Sequence, residues 1–197
     1  MRIEPTELAD VLVLTPQPHR DGRGLFTRTF DAQEFDAYLG VPGLSATFVQ
    51  DSQSRSYRGV VRGLHGRSGR GEAKLVRCAH GAVHDVLVDI RSDSPSFGHQ
   101  QAFLLDDTDF RHLYVPPGFL HGFQALSPVA DVCYRIDRPH EPGEDLGVAY
   151  DDADLAIAWP QPVTVVSDRD AGAGSWRQLL TAFGLDSEGL THLRPRS

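Results

Sequence analysis

Lys74 is the only lysine in this sequence, in which the other 18 of the 19 Lys and Arg residues are arginine. Because arginine supplies positive charge everywhere else, position 74 is predicted to require an ammonium group. A lysine side chain is a compact point charge with rotatable donors and suits a small oxygen or oxyanion, whereas the planar arginine fork matches phosphate better. The composition therefore favours an oxyanion-stabilising role for Lys74.

Lys74 lies in a locally basic segment of the chain, between positions 55 and 77, where Glu72 is the only acidic residue. The basic residues of this segment are Arg55, Arg58, Arg62, Arg67, Arg70, Lys74 and Arg77. Two interpretations are open: a solvated, salt-bridged strand edge, or an anion site within an otherwise acidic protein.

Tyr134 lies in an alternating run of apolar and polar residues at 130–137. Strand alternation puts Tyr134 on the same face as Ala130, Val132 and Ile136, with the polar residues on the other face. We therefore expect Tyr134 to point into the interior. A buried phenol needs a polar partner, so it is either a satisfied core tyrosine or a donor in an enclosed pocket.

His121 ends a Pro-x-Gly-x-x-His pattern within 115–123. This pattern resembles the second signature of the cupins, in which a tight turn delivers a histidine from a strand into the mouth of a barrel. A metal-binding cupin also has a His-x-His pair on an earlier strand, because a divalent ion there needs three or four converging ligands. That pair is absent from the sequence, so we predict no metal site.

The elements that position these residues are mostly strands. From about 48 to 136 the sequence consists of short β-rich runs, clearest at 83–90, 101–105 and 132–136, which predicts a mainly β, antiparallel jelly-roll barrel. A short helix is predicted at 31–39, because Asp31 and Glu34 are the side chains of a capping box and Gly40 follows as the stop. A second is predicted near the C-terminus, where Trp176, Leu179, Leu180 and Phe183 have helical spacing. We expect one domain over 1–197, with its core at about 5–185 and a loose tail at 192–197.

Composition argues against several classes of protein. The formal net charge of −8 argues against a general nucleic-acid binder, and no apolar run approaches the ~18 residues of a membrane helix. We therefore expect a soluble cytoplasmic protein that binds neither nucleic acid nor membranes. Cys78 and Cys133 are too few and too far apart for a disulfide framework, so both are expected to be reduced.

Eight segments taken together resemble the dTDP-4-dehydrorhamnose 3,5-epimerase family, in the order and close to the spacing of that family, across residues 5–185. They are 21–24 (DGRG), 48–52 (FVQDS), 58–65 (RGVVRGLH), 73–78 (AKLVRC), 89–98 (DIRSDSPSFG), 116–123 (PPGFLHGF), 151–160 (DDADLAIAWP) and 167–171 (SDRDA). The resemblance implies a dTDP-4-keto-6-deoxyhexose as substrate, inversion at C3 and C5 or at C3 alone, and no cofactor.

The resemblance also implies a role for each matching residue. His65 matches the catalytic base, Asp170 the carboxylate that orients it, Tyr134 the general acid on the opposite face of the sugar, and Lys74 the residue that steadies the enolate oxygen. Arg23, Arg62 and His121 match phosphate and sugar contacts, and Phe26 and Gln50 match positions at the thymidine end. Arg28, Ser52, Asp145 and Arg169 match further substrate-contacting positions.

This sequence departs from the family pattern at Gly66, Arg28, Ser52 and Arg138, where an aromatic residue, an acidic residue, Asn and Tyr are common. Loss of bulk at Gly66 is predicted to change how the sugar ring flips between proton abstractions. A related cupin ketoisomerase and a non-catalytic sugar-nucleotide-binding cupin remain alternatives. The resemblance further implies a homodimer and a pathway to rhamnose or to an antibiotic deoxysugar.

Overall fold

Two antiparallel β-sheets face each other and form most of the protein. The computed structural model describes residues 1–185; the predicted loose tail at 192–197 lies outside the described residues. The strands are β1 (Arg2–Pro5), β2 (Leu12–Thr15), β3 (His19–Asp21), β4 (Gly24–Phe26), β5 (Gln50–Tyr57), β6 (Val61–Arg67), β7 (Lys74–His80), β8 (Ala82–Asp89), β9 (Gln100–Asp106), β10 (His112–Val115), β11 (Phe119–Ala125), β12 (Val129–Ile136) and β13 (Asp145–Gly147).

The strand order shows the jelly-roll arrangement predicted from the sequence. One sheet runs β1-β2-β10-β7-β12-β5, the facing sheet runs β13-β6-β11-β8-β9, and β3 and β4 form a separate hairpin. Neighbours in these sheets are far apart in sequence, as in β10 between β2 and β7, so the chain crosses repeatedly between the sheets. The mainly β cupin jelly-roll fold is confirmed.

The main core lies between the two sheets. Val76, Leu113 and Val132 from the six-stranded sheet pack with Leu87 and Phe123 from the facing sheet, and all five are buried. Removing this much apolar surface from water is the principal force that holds the sheets together. Residues 85–89 of β8 are buried consecutively, so this part of the strand is covered on both faces and its burial does not alternate.

Helices cover the outer faces of both sheets. Helix α1 (Ala32–Leu39) buries Phe35 against Leu14 and Tyr114 on the six-stranded sheet. On the five-stranded sheet, α3 (Trp176–Ala182) buries Trp176 against Leu64 and its neighbours. A short helix, α2 (Asp168–Ala171), precedes α3, and single 3₁₀ turns occupy Leu44–Thr47 and Pro142–Glu144.

Both predicted helices are present, with two differences in detail. Asp31 caps α1 by accepting hydrogen bonds from the backbone N–H of Gln33 and Glu34, but the Glu34 carboxylate pairs with the amino group of Met1 and does not complete a capping box. In α3 the predicted apolar stripe loses its last member, because Phe183 follows the helix and is 38% exposed.

Strand pairing brings residues distant in sequence to one part of the interior. In β6 and β11, His65 and His121 lie directly opposite each other, beside a β-bulge. In β12 and β5, Tyr134 lies opposite Ser52. The predicted inward orientation of Tyr134 is confirmed, since it packs against the core between the sheets. Asp131, expected to face outward, is buried, and its carboxylate is satisfied by a bidentate ion pair with Arg55.

Two further structural findings concern the expectations drawn from composition. Cys78 and Cys133 are both free thiols, as expected. Within residues 1–185, no helix has the length and apolar character needed to span a bilayer.

Candidate active site

His65 and Asp170 form a hydrogen-bonded dyad across 105 residues of sequence. His65 projects from β6, and Asp170 lies in α2, which begins where Ser167 accepts a hydrogen bond from the Asp170 backbone N–H. The His65 Nε2 atom lies 2.6 Å from Asp170 Oδ1, while Oδ2 accepts from the Gly63 N–H at 3.1 Å. With both carboxylate oxygens engaged, Nε2–H donates to Asp170 and Nδ1 is left to accept a proton.

Burial and charge act in opposite directions on this dyad. Burial lowers the pKa of His65, and the Asp170 carboxylate partly offsets this by favouring the imidazolium. The positive charges of Arg169 and Lys74 add smaller lowering effects on the same pKa. Although burial alone raises the pKa of Asp170, hydrogen bonds from His65 and Gly63 hold it below its ordinary value. Near neutral pH the dyad is therefore a neutral imidazole beside a carboxylate.

A second histidine–carboxylate pair lies beside Tyr134. His121 Nε2 is 2.8 Å from Oδ2 of Asp85, which is fully buried, and the rings of His121 and Tyr134 are 6.1 Å apart. The Tyr134 hydroxyl lies 3.2 Å from Ser54 Oγ. Burial raises the pKa of Tyr134 above its ordinary value, so the phenol holds its proton and can donate it.

Lys74 is the first residue of β7, and strand alternation puts it on the same face as the core residue Val76. Its Nζ atom lies 3.0 Å from Glu72 Oε1, and the Arg67 Nε atom lies 2.6 Å from Glu72 Oε2. The Lys74 side chain is 12% exposed. The basic segment is thus neither wholly an exposed strand edge nor wholly an anion-binding site, because Arg67, Glu72 and Lys74 form a buried ion-pair network.

Other predicted contact residues lie around the His65 dyad. Arg62, His65, Arg169 and Asp170 line one cleft of about 440 Å³. Arg62 donates to Ser56 Oγ at 2.9 Å, and Arg169 pairs with Asp145 at 3.1 Å.

Gln50 and Ser52 occupy the start of the edge strand β5, opposite Ile136 and Tyr134. The register therefore puts these two predicted contact residues beside the end of β12 that carries Tyr134.

Three predicted residues lie apart from this interior. Arg23 is in the β3–β4 hairpin, where it is 91% exposed and pairs with Asp21; Phe26 in the same hairpin is 70% exposed. Arg28 pairs with Asp31 at the start of α1. Within residues 1–185 of a single chain, Arg23 and Arg28 make no ion pair or hydrogen bond with another predicted site residue.

Residue Gly66 was predicted to affect the sugar ring through lost bulk beside His65. A Cβ atom at position 66 would lie 3.0 Å from Leu120 Cδ2 and 3.0 Å from the Phe119 carbonyl. Leu120 belongs to the apolar layer beneath α3, so position 66 faces away from the interior that holds His65. The structure therefore gives no support to that mechanism.

Arg138, another position at which this sequence departs from the family pattern, donates to the Gly71 carbonyl at 3.0 Å and pairs with Glu144. These contacts join the β6–β7 and β12–β13 loops.

Sequence reasoning missed Ser54, Glu72 and Asp85, each of which contacts a predicted site residue. Asp85 had a detectable signal, since it is an acidic residue inside the apolar run 83–90. Glu72 had one too, as the only acid in the basic segment. Ser54 follows only from the pairing of β5 with β12, which the sequence does not reveal. Among residues 1–185, no group of three or more His, Cys, Asp or Glu side chains is arranged to hold a metal ion.

Together, fold and site define a jelly-roll enzyme built for proton transfer, with an oriented imidazole, a protonated phenol and an ammonium group around one interior. A sequence model of the dTDP-4-dehydrorhamnose 3,5-epimerase family matches residues 5–178. The chain belongs to that family and is an isomerase of that type.

Individual relatives are similar over most of their length. The dTDP-4-dehydrorhamnose 3,5-epimerase of Escherichia coli K12 is 44% identical over 162 residues, which cover 82% of this chain and 86% of that protein. The dTDP-4-dehydrorhamnose 3-epimerase of Streptomyces niveus is 38% identical over 174 residues, covering 88% and 83%. The crystal structure of NovW, a 4-keto-6-deoxy sugar epimerase from the novobiocin gene cluster of Streptomyces spheroides, has a TM-score of 0.88 and 36% identity, covering 96% and 94%.

Proposed function

We propose that this protein epimerises a dTDP-4-keto-6-deoxyhexose by moving protons at the carbons next to the 4-keto group. The observation that carries the proposal is the 2.6 Å contact between His65 and Asp170, which leaves the other imidazole nitrogen free to act as a base. The names of the relatives supply the substrate class, and the protonated phenol of Tyr134 supplies the complementary acid.

The chemistry follows from the acidity of a C–H bond beside a ketone. His65 Nδ1 takes the proton, and the electron pair of the C–H bond forms a double bond to C4 while the ketone oxygen becomes an enolate. Lys74 stabilises that oxygen. Tyr134 then gives its proton to the opposite face of the same carbon as the ketone re-forms. Proton exchange with water restores the imidazole and the phenol before the next turnover.

The existing ketone supplies the acidification, so the proposed reaction requires neither a metal nor a redox cofactor. Arg62 and Arg169 line the same cleft as His65, and we assign them to the diphosphate, for which guanidinium groups are well suited. Because C3 and C5 both adjoin C4, the same residues serve both carbons, and we propose inversion at both. Rhamnose and antibiotic deoxysugar pathways are both compatible with this reaction.

Proton NMR in heavy water tests the proposal. Wild-type protein incubated with dTDP-4-keto-6-deoxyglucose should lose the H3 and H5 signals, and His65→Ala should lose neither within the same time. His80→Ala is the matched control, because His80 is an exposed imidazole at the β7–β8 turn. Absence of exchange at both carbons with the wild type would contradict the proposal.

The same samples separate the alternatives. Loss of H3 alone would make the protein a 3-epimerase. A carbonyl carbon signal that moves from C4 to C3 would identify a ketoisomerase. Binding of dTDP without any exchange would leave the non-catalytic sugar-nucleotide-binding cupin.

We further propose that the protein forms a homodimer, as the family resemblance implies. The β3–β4 hairpin supports this, because Leu25 and Phe26 are exposed apolar side chains on a short hairpin outside both main sheets, where packing of a second chain would bury them. Light scattering during size-exclusion chromatography should give twice the 21.7 kDa chain mass, and a monomer mass at micromolar concentration would overturn this proposal. The cytoplasmic location stays a prediction.

A further inference from the structure

Glu72 bridges two cations in a nearly dry environment at the rim of the site. One carboxylate oxygen contacts Lys74 Nζ at 3.0 Å and the other contacts Arg67 Nε at 2.6 Å. The side chains of Arg67, Glu72 and Lys74 are only 5%, 9% and 12% exposed. Among the described residues, Glu72 Oε2 has no hydrogen bond of good geometry, so its contact with Arg67 is mainly electrostatic.

The charge of this triad, defined as Arg67, Glu72 and Lys74, matters because the triad is buried. Two cations and one anion leave a net charge of +1. Lys74 beside Glu72 alone would form a neutral pair, and the carboxylate would compete with any developing negative charge for the ammonium. Arg67 occupies the second carboxylate oxygen and restores the positive charge, so Glu72 can orient Lys74 without cancelling it.

We propose that Arg67 and Glu72 are a coupled pair of positioning residues that aim the Lys74 ammonium at the ketone oxygen and keep the triad at a net charge of +1. This inference rests on the proposed function, in which Lys74 stabilises the enolate. It assigns a catalytic consequence to two residues that do not themselves touch the substrate. The two residues depend on each other, because removal of either one unbalances the charge around Lys74.

Three variants test the coupling. Arg67→Gln leaves a neutral triad, Glu72→Gln leaves a triad of charge +2, and the double variant returns to +1 with amides that can still hydrogen-bond to each other and to Lys74. Loss of one oxyanion-stabilising donor costs about 10²–10³-fold in kcat, so partial impairment in each single variant should cost at least about tenfold. The double variant should recover to within about threefold of the wild type.

Controls separate positioning from general damage. The dTDP dissociation constant, measured by calorimetry, should change much less than kcat for C3 deuterium exchange, because dTDP carries no ketone. Arg111→Gln with Asp109→Asn is the matched control, since that pair has the same 2.6 Å separation but is exposed and lies away from the site. Single variants within threefold of the wild type, or a double variant no better than the worse single one, would overturn the inference.

A readout independent of turnover comes from the composition. Because Lys74 is the only lysine, protein labelled with ¹⁵N at lysine Nζ gives a single side-chain signal. Each single variant should shift this signal, and the double variant should move it back toward the wild-type position. If wild-type protein shows no exchange at C3 or C5, the proposed function fails, and the Nζ signal alone decides the coupling. An unchanged signal in all three variants would refute it.

Discussion

Replacement of Asp170 by Asn tests whether the dyad sets the tautomer of His65. In the wild type one carboxylate oxygen accepts from Gly63 N–H and the other from His65 Nε2–H. An asparagine side chain has only one oxygen. Because the Gly63 N–H can only donate a hydrogen bond, the amide oxygen turns toward Gly63 and accepts from it. The amide NH₂ then faces Nε2, which must accept. The proton on the imidazole therefore moves to Nδ1, the atom that should act as the base.

The size of the effect follows from the contacts that change. A hydrogen bond to a charged partner contributes about 1.5–3 kcal/mol, which corresponds to about 10- to 150-fold in rate. The wrong tautomer adds to this loss, so we expect kcat for C3 exchange to fall by about 10²–10³-fold, within the usual range for a general base. The carboxylate also raises the pKa of His65, opposing burial, so its removal should move the acid limb of the kcat/KM profile to lower pH.

Two measurements check this reasoning. Deuterium exchange at C3 gives the rate across pH, and ¹⁵N NMR of labelled histidine gives the tautomer, expected to be Nε2–H in the wild type and Nδ1–H in Asp170→Asn. Asp168→Asn in the same helix is the control, because Asp168 is exposed. An Asp170→Asn variant within fivefold of wild-type activity, or one that retains the Nε2–H tautomer, would refute the argument.

Two other substitutions probe the acid and the outer layer. Tyr134→Phe should keep the rate of deuterium exchange at C3 within about tenfold of the wild type, because His65 still removes and returns the proton. Formation of the epimer should fall by about 10²–10³-fold, because the donor on the opposite face is lost. Equal losses of exchange and inversion would show that Tyr134 is not that donor. Trp176→Ala should lower the free energy of unfolding by about 3–5 kcal/mol, since the indole is 1% exposed. Urea titration measures this, and a change below 1 kcal/mol would mean that α3 does not depend on this anchor.

The sequence was sufficient to predict elements that carry their own local signals. Helix α1 begins at a cap residue and ends at Gly40, which adopts the left-handed conformation with φ of 67°. Strand β8 reads as an apolar run, and Tyr134 follows strand alternation. The strands β1 and β2 have only four residues each and no clear alternation, so the pairing of β1 with β2 and of β2 with β10 was not predictable from local sequence.

The site was predictable only in part, because its contacts join distant segments. The pairing of His65 with Asp170 was expected from family resemblance, since no local pattern connects residues 105 positions apart. Asp85 was missed because its sequence signal, an acid inside an apolar run, does not reveal its partner, and only the pairing of β11 with β8 brings His121 beside it. Strand register therefore supplied the information that composition and spacing lacked.

The departures from the family pattern gain a physical interpretation from where they lie. Position 66 faces the layer under α3, so it cannot influence the sugar by bulk alone. Arg138, in contrast, lies at the rim, where it ties the β6–β7 loop to the β12–β13 loop through Gly71 and Glu144. The same β6–β7 loop connects Arg67 to Glu72 and Lys74. Differences between this protein and its relatives in how the sugar ring is held should therefore be sought among the charged residues of these two loops. A shift of the β6–β7 loop would move Lys74 directly, because that loop leads into β7.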